Sequence, residues 1–133
     1  PELNFEITTV SPVMVLGKSL SNRQYSTSTG IQFIIKNRIA PADFFQSLYD
    51  NDVPFVVVDV ADVANATFKA ATTKGLHGKD YLLTSETYKV SDIHEMLNQR
   101  EPKEKAQVIY KNDLAENDLK MKFRPVKETL NNY

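Results

Sequence analysis

The sequence predicts an α/β protein, and three observations lead to this fold class. Short apolar runs with strand character alternate along the chain with segments of helical periodicity. The run from Val13 to Leu16 is apolar without a break, as in a parallel strand that is buried on both faces. The run from Phe55 to Val58 is rich in β-branched residues and leads directly into a helical pattern. These strands are too few for a complete doubly wound sheet, so we expect an incomplete one.

The amino-terminal part predicts two strand segments followed by a loop. Residues 5–10 alternate loosely between apolar and polar side chains, and Pro12 then interrupts the pattern because it cannot donate to a strand ladder. The apolar run 13–16 forms the second segment, and Gly17 ends it. Residues 18–30 are polar and rich in Ser and Thr, which predicts a loop.

Two helices are predicted next. Residues 30–36 carry four large apolar side chains and predict a short buried helix or strand, of which the helix is favoured. Pro41 suits the first turn of the following helix. That helix has one apolar stripe, which we expect to pack in the core and which consists of Phe44, Phe45, Leu48 and Tyr49.

A strand and a long helix occupy the middle of the chain. The strand at residues 55–58 is followed by Asp59 and Asp62, which have the spacing of a helix cap and its reciprocal acid at the third helical position. Apolar residues then recur at helical spacing, which predicts a helix from Val60 to Thr72. Capping, rather than catalysis, is the role that we expect for both aspartates.

The carboxy-terminal half contains shorter elements. A helix is predicted to begin close to Ser91, and its residue His94 is expected to be an exposed polar position. The charged segment of about residues 99–105 contains Pro102 and predicts a linker. The other predicted elements are a strand at 81–84, a strand at 108–110, a helix at 112–119 and a last helical turn around Leu130.

Composition and charge exclude several classes of protein. The 133 residues include 16 Lys and Arg against 17 Asp and Glu, so no large field of one sign exists to attract nucleic acid or an acidic membrane surface. Cysteine is absent, which excludes disulfides, thiolate metal sites and a cysteine nucleophile. Two histidines cannot form a histidine-rich metal site. No apolar run is long enough to span a bilayer and no signal peptide is visible, so a cytoplasmic location is the default expectation.

The sequence also lacks several catalytic motifs. Its four glycines do not have the spacing of a phosphate-binding glycine loop, so we expect no tightly bound dinucleotide on this chain. No tyrosine is followed four residues later by a lysine, the pair in which lysine lowers the tyrosine pKa for proton transfer. A Gly-x-Ser-x-Gly nucleophile elbow is absent as well.

Four segments, taken in order, resemble the extended short-chain dehydrogenases/reductases, the superfamily of NAD-dependent epimerases and dehydratases. Residues 7–17 resemble the strand with a proline that follows the catalytic helix of that family, and residues 55–64 resemble its apolar–aspartate–valine–alanine segment. Residues 78–83 with 91–93 resemble its next strand and helix, and residues 118–126 resemble its terminal motif. The dihydroflavonol-reductase-like branch, whose members reduce aldehydes and ketones with NADP, is the most similar.

The resemblance implies that residues 1–133 are the carboxy-terminal, substrate-binding part of a Rossmann-type extended reductase. NADP, or NAD, would bind to the parent protein, and its amino-terminal part would carry the glycine loop and the Tyr/Lys pair. The start at Pro1 fits the expectation of a fragment that is inactive alone. Strands taken from a parallel sheet expose an edge, so we expect self-association through residues 13–16 or 55–58, and a homo-oligomer.

The resemblance also implies a set of site residues. Ligands of α/β sheets bind beyond the carboxyl ends of the strands. The nicotinamide would lie against Pro12, Val13, Met14 and Val15. A small carbonyl substrate would lie against Leu16, Ser19, Thr27 and Ile31. No catalytic residue and no metal ligand is implied within this chain.

Two alternatives remain open from the sequence. Part of a nucleotide-sugar epimerase or dehydratase is the first, but such enzymes often carry a diphosphate-binding arginine where this chain has residues 51–54. The second is a non-catalytic binding module without a cofactor-binding half.

Overall fold

The structure is a computed structural model, and it describes residues 4–21 and 26–132. Within these ranges, the strands are Thr9–Pro12 (β1), Met14–Leu16 (β2), Pro54–Asp59 (β3), Asp80–Leu83 (β4) and Thr87–Lys89 (β5). The helices are Thr27–Asn37 (α1), Asp43–Asp50 (α2), Val60–Thr72 (α3), Val90–Leu97 (α4), Asp113–Asp118 (α5) and Val126–Asn131 (α6). The predicted α/β class is therefore confirmed.

The strands form two small sheets. β1 pairs in parallel with β4, with Thr9 opposite Asp80. The second sheet has the order β2-β3-β5, in which β2 is parallel and β5 antiparallel to the central strand β3. Both sheets are too small to form a doubly wound fold alone, as the sequence predicts.

Two hydrophobic clusters form the core, and β3 separates them. Successive side chains of a strand point to opposite faces, so Val57 and Val58 enter different clusters, and both are fully buried. The first cluster also contains Leu16, Ile35, Val90, Ile93, Met96, Leu97, Val126 and Leu130. The second also contains Ala66, Ala70, Leu76, Tyr81, Leu83, Ala115, Leu119 and Met121. Burial of β3 on both faces explains its uninterrupted apolar sequence.

The first strand begins later than predicted. Residues 5–10 were expected to form it, yet β1 starts at Thr9, and Phe5 and Ile7 are exposed. Ahead of the strand, the Ile7 amide donates to Nδ1 of His77, and the Glu6 carboxylate accepts from the Gly75 amide. These contacts hold the residues before β1 against the turn that follows α3, without strand pairing.

Helix α1 begins within the predicted loop. Residues 18–30 were expected to be irregular, but the helix starts at Thr27. The Ser26 side chain accepts from the Thr29 amide at 3.1 Å, so Ser26 is an N-cap. Part of the Ser/Thr-rich pattern is therefore a capping sequence. Residues 22–25 lie outside the described residues.

The predictions for α2 were partly wrong. Pro41 was expected in its first turn, but the helix begins two residues later, at Asp43. Phe44 was expected in the core and is 66% exposed, whereas Tyr49 packs against the first cluster. The apolar stripe of this helix is wider than the surface it covers.

Two predictions near the carboxyl end were wrong in opposite ways. Strand β5 was missed, because a three-residue Thr-Tyr-Lys segment has no distinctive pattern. The predicted strand at 108–110 does not form, and its three side chains are between 49% and 69% exposed. A single bridge joins Gln107 to Thr87 immediately before it.

The predicted helix from Val60 to Thr72 is confirmed at both ends. None of the helices in the described part of the chain is long and apolar enough to cross a bilayer.

Candidate functional site

At Val13 the chain passes from one sheet to the other, and this is the main backbone feature of the predicted site. β1 ends at Pro12, and β2 begins at Met14 in the other sheet. Between them, the Val13 amide still donates to the Leu83 carbonyl at 3.2 Å. One residue thus joins the carboxyl end of β1 to the start of β2, and a strand end of this kind is where α/β proteins bind ligands.

The four predicted cofactor-contacting residues follow one another through this junction. Pro12 is exposed, and Val13, Met14 and Val15 are half-buried. Val13 and Val15 pack against the second cluster, and Met14 packs against the first. Thr9 and Val13 direct their amides toward β4, so by alternation the Pro12 carbonyl points away from it. That carbonyl can accept a hydrogen bond from a ligand.

The four predicted substrate-contacting residues differ in accessibility. Leu16 is 1% exposed and packs in the first cluster, so its side chain faces the core. Ile31 is half-buried against that same cluster, so the fold brings it together with Leu16. Ser19 and Thr27 are exposed. The Ser19 hydroxyl donates to the Ser21 carbonyl at 2.9 Å.

Gln32 is a buried polar residue that the sequence analysis missed. Its Nε2 atom lies 3.3 Å from the Gly17 carbonyl and 3.2 Å from the Ser28 carbonyl, and the residue is fully buried. Its Oε1 atom has no hydrogen-bond donor among the described residues. A glutamine in an amphipathic helix normally predicts a solvent-facing position, so no sequence signal pointed to it. Gln32 connects the first turn of α1 to the end of β2.

Gly17 permits a close approach between the end of β2 and the start of α3. Its φ is +135°, and a Cβ atom there would lie 3.0 Å from Val60 Cγ1 and 3.6 Å from Asp59 Oδ1. Any larger residue would therefore be both strained and crowded. Glycine therefore allows the end of β2 to lie against the cap of α3.

Asp59 and Asp62 connect α3 to the carboxy-terminal segment. Asp59 is the predicted cap, and its Oδ1 accepts from the Ala61 amide at 2.8 Å and from the Arg124 guanidinium at 3.3 Å. Asp62 was expected to bond back to the cap, which was wrong, because its Oδ2 accepts from the Arg124 amide at 2.8 Å. Burial raises the pKa of Asp62, while the Arg124 amide and guanidinium oppose that rise. Asp59 therefore caps α3 as predicted, whereas Asp62 binds the carboxy-terminal segment.

Three side chains bind consecutive carbonyls at the end of α1. Tyr49 Oη lies 3.1 Å from the Ile34 carbonyl and 2.8 Å from that of Ile39. His94 Nδ1 lies 2.9 Å from the Ile35 carbonyl, and Asn98 Nδ2 donates to the Lys36 carbonyl at 3.0 Å. The last carbonyls of a helix lack the usual intrahelical partners; the Arg38 amide donates to those of Ile34 and Ile35, and these side chains add further hydrogen bonds. His94 was expected to be an exposed polar position; it is half-buried, and this carbonyl explains why.

The helix that carries His94 begins at Val90, next to Ser91 as expected, but its N-cap is Lys89, one residue farther from Ser91 than predicted. The Ser91 amide and hydroxyl instead donate to the two carboxylate oxygens of Asp52, at 2.9 and 2.8 Å. Asp52 thereby occupies the helix terminus that a serine cap would have served.

Tyr81 and Lys79 both bind one oxygen of Asp118, and this arrangement is unsuited to proton donation by the tyrosine. Tyr81 Oη donates to Asp118 Oδ2 at 2.7 Å, and Lys79 Nζ lies 3.0 Å from that same oxygen. Burial, followed by the hydrogen bond to Asp118, raises the pKa of Tyr81 to about 12. Tyr81 is also fully buried, so it cannot reach a substrate. The described part of the chain contains no group of three or more His, Cys, Asp or Glu that could hold a metal ion.

The two sheets, with helices packed on them and a strand broken at its carboxyl end, define a class of fold. It is the fold of the carboxy-terminal part of Rossmann-type reductases, and solved structures of reductases match it over nearly the whole chain.

A reductase engineered to attenuate substrate inhibition matches 97% of this chain at 15% identity, with a TM-score of 0.69. The methylglyoxal/isovaleraldehyde reductase Gre2 of yeast, solved with NADPH, matches 98% at 19% identity, with a TM-score of 0.62. Gre2 of Candida albicans, also solved with NADPH, matches 99% at 17% identity, with a TM-score of 0.72. The match covers 43%, 45% and 43% of those three chains, so this chain spans less than half of their length.

The TM-scores of 0.62 to 0.72 show a shared fold, and at identities of 15–19% the comparison shows the fold alone. No protein-family model matches the sequence, and a search of curated proteins finds no relative.

Proposed function

We propose that this chain is the substrate-binding part of an NADP-dependent reductase that acts on small aldehydes or ketones. In the parent protein, an amino-terminal part would bind most of the cofactor. The cofactor supplies a hydride when bound, and the proton donor would be a tyrosine outside this chain. The isolated chain would be inactive.

The observation that carries the proposal is the strand break at Val13. Pro12 lies exposed at the carboxyl end of β1, with a carbonyl directed away from β4. This position suits the carboxamide of a nicotinamide, which needs a backbone acceptor. Residues for the cofactor diphosphate are not part of the site, because the chain has no glycine loop. The fit is therefore to the nicotinamide end alone.

The proposed substrate pocket lies on the α1 side of this junction. Ser19 and Thr27 offer exposed hydroxyl groups, and Ile31 offers an apolar surface. Leu16 would contribute through its backbone, since its side chain is in the core. A small aldehyde or ketone requires this combination of an apolar wall and a few polar groups.

The nucleotide-sugar alternative is less favoured by the residues before β3. Nucleotide-sugar enzymes often have an arginine close to this position. Here Asp52 accepts hydrogen bonds from the Ser91 amide and hydroxyl. Residues 51–54 contain no arginine that could bind a diphosphate through a guanidinium fork.

The test uses the product of the complete reading frame that contains this sequence. We expect NADPH oxidation with a panel of small aldehydes and ketones, and none with UDP-sugars. Thr27→Trp should raise the KM for the best aldehyde about tenfold, because it fills the proposed pocket. Thr72→Trp, at an exposed threonine of α3, is the matched control and should leave KM unchanged. Turnover of UDP-sugars instead, or equal effects of both variants, would contradict the proposal.

The 133-residue chain alone should bind NADPH weakly. It lacks the glycine loop that positions the diphosphate at a helix terminus, and the nicotinamide contacts alone are few. A fluorescence titration of the isolated chain with NADPH should therefore give no saturation in the micromolar range. Sub-micromolar affinity would show that a phosphate site exists which the sequence did not reveal.

A further inference from the structure

Gln32 links the two segments that carry the proposed substrate contacts. Those contacts are Leu16, Ser19, Thr27 and Ile31. The Nε2 atom of Gln32 lies 3.3 Å from the carbonyl of Gly17, which lies between the first two contacts in the sequence. The same atom lies 3.2 Å from both the carbonyl and the hydroxyl oxygen of Ser28, directly after the third contact. One buried amide group therefore touches both walls of the proposed pocket.

No other hydrogen bond joins these walls, residues 16–21 and 26–32, in the part of the chain that the structure describes. Apolar packing also holds them together, because the first hydrophobic cluster contains Leu16 and Ile31 packs against it. Apolar contacts have no preferred direction, whereas a hydrogen bond restricts both a distance and an angle. The side chain of Gln32 is therefore the directional link between the walls.

Gly17 is confined on its other side by α3. Its φ is +135°, and a Cβ atom there would lie 3.0 Å from Val60 Cγ1. The start of α3 therefore limits how far Gly17 can move in that direction, and the bond from Gln32 ties its carbonyl to α1. The end of β2 is thus fixed between two helices, and Gln32 supplies the contact with the helix that carries half of the proposed substrate contacts.

Stability alone does not account for a glutamine at this position. Gln32 is fully buried on the core-facing side of α1, where Ile35 also lies, and its Oε1 atom has no donor among the described residues. A buried acceptor without a donor costs free energy, and an apolar side chain of similar shape can be neutral or stabilising in its place. A buried polar group that is only partly satisfied therefore points to a role other than stability.

We propose that Gln32 is a positioning residue that sets the separation of the two pocket walls. It touches no reacting atom, because it is fully buried, and it acts through Gly17 and Ser28. This inference rests on the proposed function, since the pocket is that of the proposed reductase. Without the link, the walls would hold the substrate less well before and during the reaction alike. Such a loss raises KM and leaves kcat unchanged.

The first test uses the complete product of the reading frame and its best aldehyde or ketone. Gln32→Leu should raise KM about fivefold, with kcat unchanged, and should leave the Tm unchanged or higher. A purely structural residue would instead lower the Tm and the active fraction, with KM unchanged. Gln32→Met, which keeps an unbranched side chain, should raise KM as well. Gln46→Leu makes the same change at an exposed glutamine of α2 and should alter neither KM nor Tm.

The second test needs no activity and uses the 133-residue chain. The chain contains no cysteine, so spin labels attach only to introduced ones. Labels at Ser19→Cys and Asn37→Cys, both exposed, report the position of the loop after β2 relative to the end of α1. Gln32→Leu should broaden the distribution of label distances measured by double electron–electron resonance, and Gln46→Leu should not.

The two tests separate this proposal from the proposed function. A complete product that reduces no aldehyde or ketone would remove the proposed function, while the label distances would still decide whether Gln32 holds the walls. An unchanged distance distribution would overturn the positioning role. It would also be overturned by an active Gln32→Leu product whose KM is that of the wild type, whether or not its Tm falls.

Discussion

At the scale of single residues, two glycines differ in backbone conformation. Replacing each by alanine should therefore change the unfolding free energy in opposite directions. Gly17 has φ +135°, and a Cβ added there would lie 3.0 Å from Val60 Cγ1. Gly17→Ala should destabilise the fold by about 1–3 kcal/mol through backbone strain alone. A Cβ added to Gly30, inside α1, would meet no atom within 4 Å. Gly30→Ala should therefore stabilise by about 0.4–1 kcal/mol, through the lower entropy of the unfolded chain. Urea denaturation measures both changes in unfolding free energy. Two changes of the same sign would contradict these predictions.

The burial of Tyr81, together with its hydrogen bond to Asp118, makes stability depend on alkaline pH. The folded protein holds the phenolic proton more tightly than the unfolded chain, since the pKa of Tyr81 rises from 10.0 to about 12. The resulting stabilisation is complete below pH 10 and is lost as the pH rises toward 12. Tyr81→Phe should flatten the pH dependence of unfolding in that window. Tyr110→Phe, at a tyrosine that is 49% exposed, is the matched control and should retain the wild-type profile.

The same pair predicts behaviour in acid with the opposite sign. The hydrogen bond from Tyr81 and the Lys79 ammonium lower the pKa of Asp118. Its contribution to stability is therefore present above the ordinary aspartate pKa and disappears as the pH falls through the lowered value. Asp118→Asn should reduce this acid-dependent loss, which urea denaturation at a series of acidic pH values measures.

At the scale of elements, the end of α1 depends on side chains from α2 and α4. Asn98 Nδ2 donates to the Lys36 carbonyl and also to the His94 carbonyl. Asn98→Ala should cost about 1 kcal/mol of unfolding free energy and speed amide exchange near the end of α1. Asn117→Ala, at an exposed asparagine of α5, should do neither. Unchanged exchange in α1 would mean that Tyr49 and His94 suffice.

Elements were predictable where one pattern dominated the segment. Helix α3 was predicted at both ends, because a capping aspartate precedes an unbroken helical stripe. Residues 108–110 had equally strong β-propensity and formed no strand, because no neighbouring strand continues beyond the Gln107 bridge. Propensity describes a segment, whereas pairing depends on what the rest of the fold places beside it.

The candidate site shows the same division. A proline within an apolar strand is a local signal, and it was enough to predict a break next to Val13. The burial of Leu16 and the orphaned Oε1 of Gln32 were not predictable, because both depend on how α1 packs against β2. The segment of about residues 99–105 remains a predicted linker, although the Lys103 amide donates to Asp92 Oδ1 at 2.7 Å.

At the scale of the whole molecule, exposed strand edges predict self-association of the isolated chain. Two segments were expected to mediate it, but β3 pairs with β2 at residues 57–59 and with β5 at residues 54–56, so residues 55–58 expose less edge than expected. β2 is an outer strand, so residues 13–16 retain one. Sedimentation velocity should show a weight-average mass that rises with concentration, and Ala71→Arg, away from β2, should not change it. A monomer at all concentrations would count against this prediction.

The single-residue junction at Val13 constrains how the chain length can vary. Each of the two sheets has its own register, and both registers are counted from this point. If one residue were inserted at Val13 while β2 kept its register, the core-facing side chains of β1 would turn outward and its outward-facing side chains would turn toward the core. Homologous sequences should consequently tolerate many substitutions between β1 and β2 but almost no gaps in an alignment.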